Sequence, residues 1–412
     1  MTRPEPTDTR GVGIVDVEVV GVGVVGAGWL GDVHARAWAR LRHHYPDLAV
    51  TPRFVAVADS VAVARDAAQR THGFASAYGD WRDLVADPAV DVVSVTAPNA
   101  LHRDIGVAVA EAGKHLWIEK PVGLGVADAQ DVADAVSAAG VQATVGFNYR
   151  AMPAFTKLCQ IVANGDIGRP THARVHLLSD YAAHPLGLLS WRYRLGQGGH
   201  GVLGDLASHA VDLARMALGE FTRVVAQTAT FIPERPVPEA GRATYGHGFG
   251  DVDAPRGRVE NEDYVIALAA TTSGALTTVE CSRVAVGEQN NYGLEVHATK
   301  GIVAWDFRAP GELRLSAGDR YTDQPSQRLF VGPGAGDHGR FQPGSAIPLS
   351  YDDSKVIELS GLVRSILTGA AEGPQLTDAV ASARVLDAIV RSAAGAGWVD
   401  IPATAQRAKE NP

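Results

Sequence analysis

One short segment, Gly198–Asp212 (GGHGVLGDLASHAVD), concentrates acidic and imidazole side chains at regular spacing. Asp205 and His209 are four residues apart, so they share one face if the segment is helical. A histidine titrates near neutral pH and can accept a hydroxyl proton, and a carboxylate can orient it or bind a neighbouring hydroxyl. Asp212 lies three residues further on, on the same face of such a helix. A zinc site and a solvent-exposed helix face are therefore alternatives to an acid–base site. The sequence has no H-E-x-x-H motif and no cysteine pair, so we expect no metal.

A reactive lysine, Lys120, lies in the tripeptide Glu119-Lys120-Pro121, directly after a short apolar run. An ammonium group at the carboxyl end of a strand can bond a hydroxyl and stabilise the oxygen anion that develops when its proton leaves. The alternative is an ordinary surface ion pair between neighbouring side chains.

The segment Gly26–Gly31 (GAGWLG) matches the pattern G-x-G-x-x-G. It follows a predicted strand and opens a predicted helix, which is the context in which such glycines bind a pyrophosphate at a helix N-terminus. We therefore expect a dinucleotide here, contacted by Gly26, Gly28, Trp29 and Leu30. The alternative is a glycine-rich turn without a ligand.

The next predicted strand ends in Asp59, in the sequence VAVADS. A carboxylate there accepts hydrogen bonds from ribose hydroxyls and repels a 2′-phosphate, which favours NAD. Asp59 lies further from the glycines than the usual spacing of about 20 residues, so a surface aspartate is the alternative. Ser60 would tolerate a phosphate, and NADP is not excluded.

Polar residues also follow the third and later strands of the predicted sheet. In these segments we expect the cofactor to contact Ala97, Pro98, Asn99, His102, Glu119, Lys120 and Asn148. For His102 the sequence equally allows a role in capping or lining a helix.

These side chains must be positioned by two different kinds of sheet. Before residue 150, short apolar strands alternate with helices of about a dozen residues, which predicts βαβ units and a parallel sheet with ligands at its carboxyl ends. After residue 150, successive strands with few helices predict an antiparallel sheet. The fold class is α/β, with a dinucleotide-binding domain at 17–148, a second α/β domain at 149–402 and a flexible tail at 1–16. Residues 232–260 and 317–350 are interpreted as long loops.

Composition narrows the class of protein. The chain has 412 residues, of which 46% are hydrophobic and 20% charged, so we expect two to three globular domains. A net charge of −9 argues against nucleic-acid binding. The polar N-terminus and the absence of a long apolar run predict no targeting signal and no membrane association. Two widely spaced cysteines, Cys159 and Cys281, favour the cytoplasm.

Taken together, the motifs resemble the Gfo/Idh/MocA family of nicotinamide-dependent sugar and cyclitol oxidoreductases, from about Val19 to Ile401. The resemblance rests on GAGWLG, APNALH, EKP, GFNYR, the pair Trp191-Arg192 and GDLASHAVD. It implies a Rossmann domain, then an α/β domain whose large, open, mostly antiparallel sheet forms a homodimer or homotetramer. It also implies that Lys120, Asp205 and His209 are catalytic.

Within this family, the segments LSWRYR, GEFTRVVAQTATFIPERP, NNYGLEVHATKG and WVDIP look most like the levoglucosan dehydrogenases and related pyranoside 3-dehydrogenases. This likeness implies NAD-dependent oxidation of a ring secondary hydroxyl, typically at C3, to a keto sugar. His200 departs from the pattern, because relatives more often have a small residue there. Expected substrate contacts, with packing between domains as the alternative for several, are Lys120, Tyr149, Arg150, Trp191, Arg192, Asp205, His209 and Tyr292.

Three other functions remain open on the sequence. An inositol dehydrogenase would use the same residues on a cyclitol, and a ketosugar reductase would run the reverse reaction with NADPH. An NAD-sensing regulator on the same fold is disfavoured, because a regulator has no need of Lys120, Asp205 and His209 together.

Overall fold

A six-stranded parallel sheet forms the first part of the fold. The computed structural model describes residues 18–239 and 248–402, so the tail expected over 1–16 lies outside the described residues. The strand order is β3-β2-β1-β4-β5-β6. The order reverses between β1 and β4, and such a switch point opens a crevice at the carboxyl ends of the strands. The elements are β1 (Glu18–Val25), α1 (Trp29–His44), β2 (Val50–Ala58), α2 (Ala62–His72), β3 (Ser76–Tyr78), α3 (Trp81–Ala86), β4 (Val92–Val95), α4 (His102–Glu111), β5 (His115–Ile118), α5 (Val126–Ala139) and β6 (Ala143–Val145).

A nine-stranded sheet dominates the second part, in the order β16-β15-β14-β13-β7-β12-β11-β8-β17. Only the central pair β7–β12 is parallel, so the expectation of a large, mostly antiparallel sheet is confirmed. Its elements are α6 (Pro153–Ala163), β7 (Pro170–Leu178), α7 (Leu195–Gly198), α8 (Ser208–Leu218), β8 (Phe221–Ala229), β9 (Glu234–Pro236), β10 (Arg256–Arg258), β11 (Tyr264–Thr271), β12 (Leu276–Ser282), β13 (Asn291–Ala298), β14 (Gly301–Asp306), β15 (Glu312–Ala317), β16 (Gln327–Phe330), α9 (His338–Phe341), α10 (Tyr351–Thr368), α11 (Leu376–Arg391) and β17 (Val399–Asp400).

The two faces of the large sheet differ. On one face, alternate residues such as Val175, Val279 and Val296 pack with α6, α8 and α11 into one continuous apolar core. On the other face, Leu268 and Leu276 of neighbouring strands are more than half exposed. The sheet is therefore open on one side, as the alternation of buried and exposed residues along its strands requires.

The helix α10 leaves the second sheet and packs against the first. Ser350 starts it with a capping box: its Oγ accepts the Asp353 amide at 3.1 Å, and the Asp353 carboxylate accepts the Ser350 amide at 2.8 Å. Val356 and Leu359 are then buried in the same core as β1 and α1. The helix α10 thus becomes part of the crevice wall through Tyr351.

The segments interpreted as long loops contain short elements that lack a strong apolar pattern. The ribbon β9–β10 lies in the first, and β16 and α9 lie in the second. The helix expected from Val202 to Leu218 begins with a π-helical turn, Leu203–Ala207, which joins α8. Over the ranges that the structure describes, no helix is both long and apolar enough to cross a membrane.

Candidate active site

The turn between β1 and α1 forms an anion cradle. Gly26 has φ of +98°, and a Cβ there would lie 2.7 Å from the carbonyl carbon and oxygen of Thr96, so only glycine fits. A Cβ on Gly31 would lie 2.0 Å from the Gly26 carbonyl oxygen, which shows how closely α1 approaches the turn. Gly28 caps α1 without a side-chain bond, so the first amides of the helix can bind a pyrophosphate.

Asp59 stands beside this cradle, at the carboxyl end of β2. Its Oδ2 accepts the amide of Ala27 and its Oδ1 accepts the amide of Val61, both at 2.8 Å. The carboxylate is thus fixed next to the glycine turn, followed by the exposed Ser60. A negative charge at this place suits a ribose diol and opposes a 2′-phosphate, so the residues fit NAD.

A cavity of about 440 Å³ lies between the carboxyl edge of the first sheet and the second sheet. It brings together thirteen of the residues that the sequence singled out: Trp29, Leu30, Ala97, Asn99, His102, Glu119, Lys120, Tyr149, Trp191, Arg192, Asp205, His209 and Tyr292. The Asn99 amide donates to the Gly198 carbonyl at 2.9 Å, and so joins the two sides of the cavity.

Lys120 and Asp205 form the polar centre of the cavity. The Lys120 Nζ donates to the backbone carbonyl of Asp205 at 2.7 Å and to its Oδ1 at 3.2 Å. The Tyr181 hydroxyl donates to Oδ2 at 2.5 Å. Enclosure by protein would raise the pKa of Asp205, but the charges of Lys120 and Arg192 and the bond from Tyr181 more than offset it. The pKa is lowered, and Asp205 is an anion that orients the lysine.

Asp205 lies within the π-helical turn that precedes α8. Glu262 holds the start of this turn, because its carboxylate accepts the Leu203 amide at 3.0 Å and its carbonyl accepts the Val202 amide at 2.9 Å. A π-helical turn winds more widely than an α-helix and often marks a functional site. Among the described residues, no hydrogen bond joins Asp205 to His209, so the expected orientation of the histidine by this carboxylate is not observed.

His209 lies in an aromatic setting and is only 5% exposed. Its ring centroid is 4.6 Å from that of Tyr149 and 6.0 Å from that of Phe147. Burial, and next the positive charge of Lys120, lower the pKa of His209 well below its usual value. The imidazole is therefore neutral at neutral pH and can accept a proton.

Two residues expected to contact ligands, Arg150 and Asn148, do not line this cavity, and both have protein partners. The Arg150 guanidinium pairs with Asp212 and with Asp378, at 3.1 Å from Nη1 to Asp378 Oδ2, and does not line the cavity. Buried Asn148 donates from Nδ2 to Ser354 at 2.9 Å and so ties α10 to the first domain.

Asp212 does not extend an Asp/His ligand set. Burial raises its pKa to about 6 even though Arg150 pairs with it. Within residues 18–239 and 248–402, no group of three or more possible ligands could hold a metal ion.

His102 borders the cavity and also supports its wall. Its ring nitrogens lie 2.7 Å from the carbonyl oxygens of Pro121 and Ala97, and the side chain is buried. The ring thus ties the loop after β4, which includes Pro98, to the loop after β5.

Several lining residues carry no local sequence signal. Tyr181 and Arg283 follow β7 and β12, Asn290 precedes β13, Phe307 follows β14, and Tyr351 opens α10. Their positions depend on how strands distant in sequence pair in the second sheet. His200 also lines the cavity and shares a second cavity of about 170 Å³ beside Pro121.

Comparison with known proteins agrees with this arrangement. Residues 20–147 match a family model described as an oxidoreductase family with an NAD-binding Rossmann fold, and residues 155–304 match the GFO/IDH/MocA C-terminal domain. The chain belongs to the Gfo/Idh/MocA family and is an NAD-binding oxidoreductase.

Individual relatives match over nearly the whole chain. Levoglucosan dehydrogenase of Pseudarthrobacter phenanthrenivorans is 34% identical over 383 residues, 92% of this chain and 98% of that protein. Inositol 2-dehydrogenase of Rhizobium meliloti is 27% identical over 376 residues, 90% of this chain and 96% of that protein. A solved levoglucosan dehydrogenase in complex with NADH and levoglucosan has a TM-score of 0.86 and 32% identity, and the match covers 93% of this chain and 100% of that one.

Proposed function

We propose that this protein is an NAD-dependent dehydrogenase that oxidises a ring secondary hydroxyl, at C3, of a pyranose, anhydro sugar or glycoside. The observation that carries the proposal is the meeting of three groups in one cavity: the Lys120–Asp205 ion pair and the neutral His209. A cation and a neutral base are what the removal of a hydroxyl proton requires.

The reaction balances with these groups. Bound NAD⁺ supplies the acceptor for the two electrons of a C–H bond, transferred as hydride. His209 takes the hydroxyl proton while the carbon–oxygen double bond forms. Lys120 donates to the reacting oxygen and stabilises its negative charge, and Asp205 holds the ammonium in place.

An aromatic part of the cavity lining supports a sugar ring as substrate. Tyr149 contacts both Phe307 and Tyr292, at centroid distances of 5.0 and 5.9 Å, and all three line the cavity. Aromatic faces pack against apolar C–H groups while their hydroxyls accept and donate hydrogen bonds. A pyranose offers one C–H face and a rim of hydroxyls, which fits such a wall.

Nicotinamide absorbance tests the proposal. Purified protein is mixed with NAD⁺ or NADP⁺ and a panel of levoglucosan, glucose, methyl glucosides and inositols, and the position of the new carbonyl is assigned by NMR. Reduction of NAD⁺ with a pyranose and a 3-keto product is the expected result. Reaction with inositols alone would contradict it and establish the cyclitol alternative, which the similarity to inositol 2-dehydrogenase favours.

The remaining alternatives give different results in the same assay. A ketosugar reductase would oxidise NADPH with keto sugars and show little forward reaction. A regulator would bind NADH tightly and turn over none of the compounds in either direction.

We propose that the chain forms a homodimer or homotetramer through the open face of the nine-stranded sheet and works in the cytoplasm. The exposed Leu268 and Leu276 on that face support the association, because apolar side chains on adjacent strands gain by being covered. Light scattering after gel filtration tests it, and a monomer at micromolar concentration would contradict it.

A further inference from the structure

A buried charge cluster lies directly behind the cavity. Lys355 of α10 is fully buried, and its Nζ donates to Glu119 Oε1 at 2.5 Å and to Glu358 Oε1 at 3.0 Å. His34 of α1 lies 3.0 Å from the same Glu119 oxygen and stacks on Trp117, with ring centroids 3.6 Å apart. Burying such charges costs free energy unless each is paired, so the cluster demands an explanation.

The two oxygens of Glu119 are used differently. Oε1 accepts Lys355 and faces His34, whereas no described residue donates to Oε2. Glu119 also lines the large cavity, next to Lys120. A Cβ on Gly146 would lie 2.5 Å from the carboxylate, so the backbone holds the carboxylate from the other side. Protein partners therefore hold Oε1, and Oε2 can accept a hydrogen bond from a ligand.

The charge of Lys355 decides the protonation of this carboxylate. Burial alone would raise the pKa of Glu119, but Lys355 and then His34 lower it well below its usual value. Burial also raises the pKa of Glu358 to about 7 and lowers that of His34 to about 4. The titratable and charged groups around Glu119 are His34, His102, Lys120, Tyr149, His209, Tyr351, Lys355 and Glu358.

We propose that Lys355 is a positioning residue for the dinucleotide: by pairing with Oε1, it keeps Glu119 ionised and turned so that Oε2 accepts a hydrogen bond from the bound nicotinamide nucleotide. This rests on the proposed function only in that NAD occupies the cavity. Lys355 itself does not line the cavity, whereas Glu119, to which it donates a hydrogen bond, does.

Lys355→Met tests the proposal. Without its cation, the buried Glu119 takes up a proton near neutral pH and loses its acceptor charge. The dissociation constant of NADH, followed by fluorescence titration, should then rise about tenfold more between pH 8 and pH 6 than it does in the native protein, as expected for a newly linked ionisation.

Two further variants separate positioning from stability. Glu358→Gln keeps an oxygen for Lys355 and Trp117, so it should show no new pH step. In a Glu119→Gln background, Lys355→Met should cause no further loss of NADH affinity, because the residue through which it acts is gone. Thermal melting of each variant records the structural cost independently.

The outcomes are distinct. A folded Lys355→Met protein with native pH dependence of NADH binding would overturn the proposal, as would a further loss of affinity in the Glu119→Gln background. If Lys355→Met alone does not fold, the Glu119→Gln/Lys355→Met double variant, which loses one charge of each sign, decides the question by comparison with Glu119→Gln. NADH binding can be measured without a sugar, so the two proposals fail separately. If no sugar is oxidised but Lys355→Met shows the expected pH step, the proposed function is overturned and the role of Lys355 stands.

Discussion

Replacing Asp205 by Asn tests how the ion pair serves the reaction. The amide oxygen can still accept one hydrogen bond, and the backbone carbonyl bond to Lys120 at 2.7 Å is unaffected. The substitution therefore removes the negative charge that lies 3.2 Å from Nζ without removing the lysine.

The magnitude follows from that distance. Two unit charges this close attract with a gross energy of about 5 kcal/mol at an effective dielectric constant of about 20. Asp205 is one-third exposed to the cavity, so solvent and the remaining carbonyl bond reduce the loss. A lost hydrogen bond to a charged group costs about 1.5 to 3 kcal/mol, which corresponds to a decrease of about 10- to 150-fold in kcat/KM.

The assay is the pH dependence of kcat/KM for the sugar, measured from NADH absorbance. The negative charge of Asp205 raises the pKa of His209, so its loss lowers that pKa further. His209 must be neutral to accept a proton, and the acid limb of the profile should therefore move to lower pH.

Tyr181→Phe is the matched control. It removes the hydrogen bond to Oδ2 but leaves the charge, so a decrease of only about 2- to 10-fold is expected, with the acid limb unmoved. Full activity of Asp205→Asn, or a limb that moves to higher pH, would refute the reasoning.

Three more predictions address the base, the cradle and the cofactor preference. His209→Ala should lower kcat by about two to four decades and abolish the acid limb, measured on protein whose melting curve is native. Gly26→Ala should weaken NADH binding and lower the melting temperature, because the new Cβ would collide with the backbone of Thr96. Gly73→Ala is the control: Gly73 also has a positive φ, +75°, but open space around it, so the melting temperature alone should change. Asp59→Asn should lower the ratio of kcat/KM for NAD⁺ to that for NADP⁺ by about tenfold or more, because the negative charge that opposes a 2′-phosphate is lost. The amide of the new side chain still offers an oxygen to the Ala27 amide. An unchanged ratio would exclude Asp59 as the residue that selects NAD⁺ over NADP⁺.

The first sheet could be predicted closely because its strands are buried on both faces. β5, α5 and β6 begin and end where the apolar runs predict, and the glycine turn lies where G-x-G-x-x-G requires. The pattern is local, so the sequence displays it directly. The short strand β3 and helix α3 were missed because few of their residues are buried.

The part of the cavity lining that comes from the second sheet and α10 could not be predicted in this way. Tyr181, Phe307 and Tyr351 reach it only because strands and a helix distant in sequence pack together. Arg150 and Asn148 follow a strand and are polar, which is the pattern of a ligand contact, yet each satisfies a buried partner instead. Polarity after a strand shows that a side chain needs a partner, and it does not show whether that partner is ligand or protein.

The reactive pair also depends on a contact that neither sheet makes alone. Lys120 follows β5 of the first sheet. Asp205 lies in the π-helical turn that leads into α8, which packs against the second sheet. The distance between the two side chains is therefore set by how the two parts of the fold pack together. The helix α10 closes that packing from behind, with Asp352 2.7 Å from Arg36 and with Lys355 against Glu119. Since Glu119 and Lys120 are adjacent, one helix supports both the Glu119 carboxylate and the peptide that carries the lysine. The helix α10, which holds no motif, in this way helps to set the geometry of the candidate site.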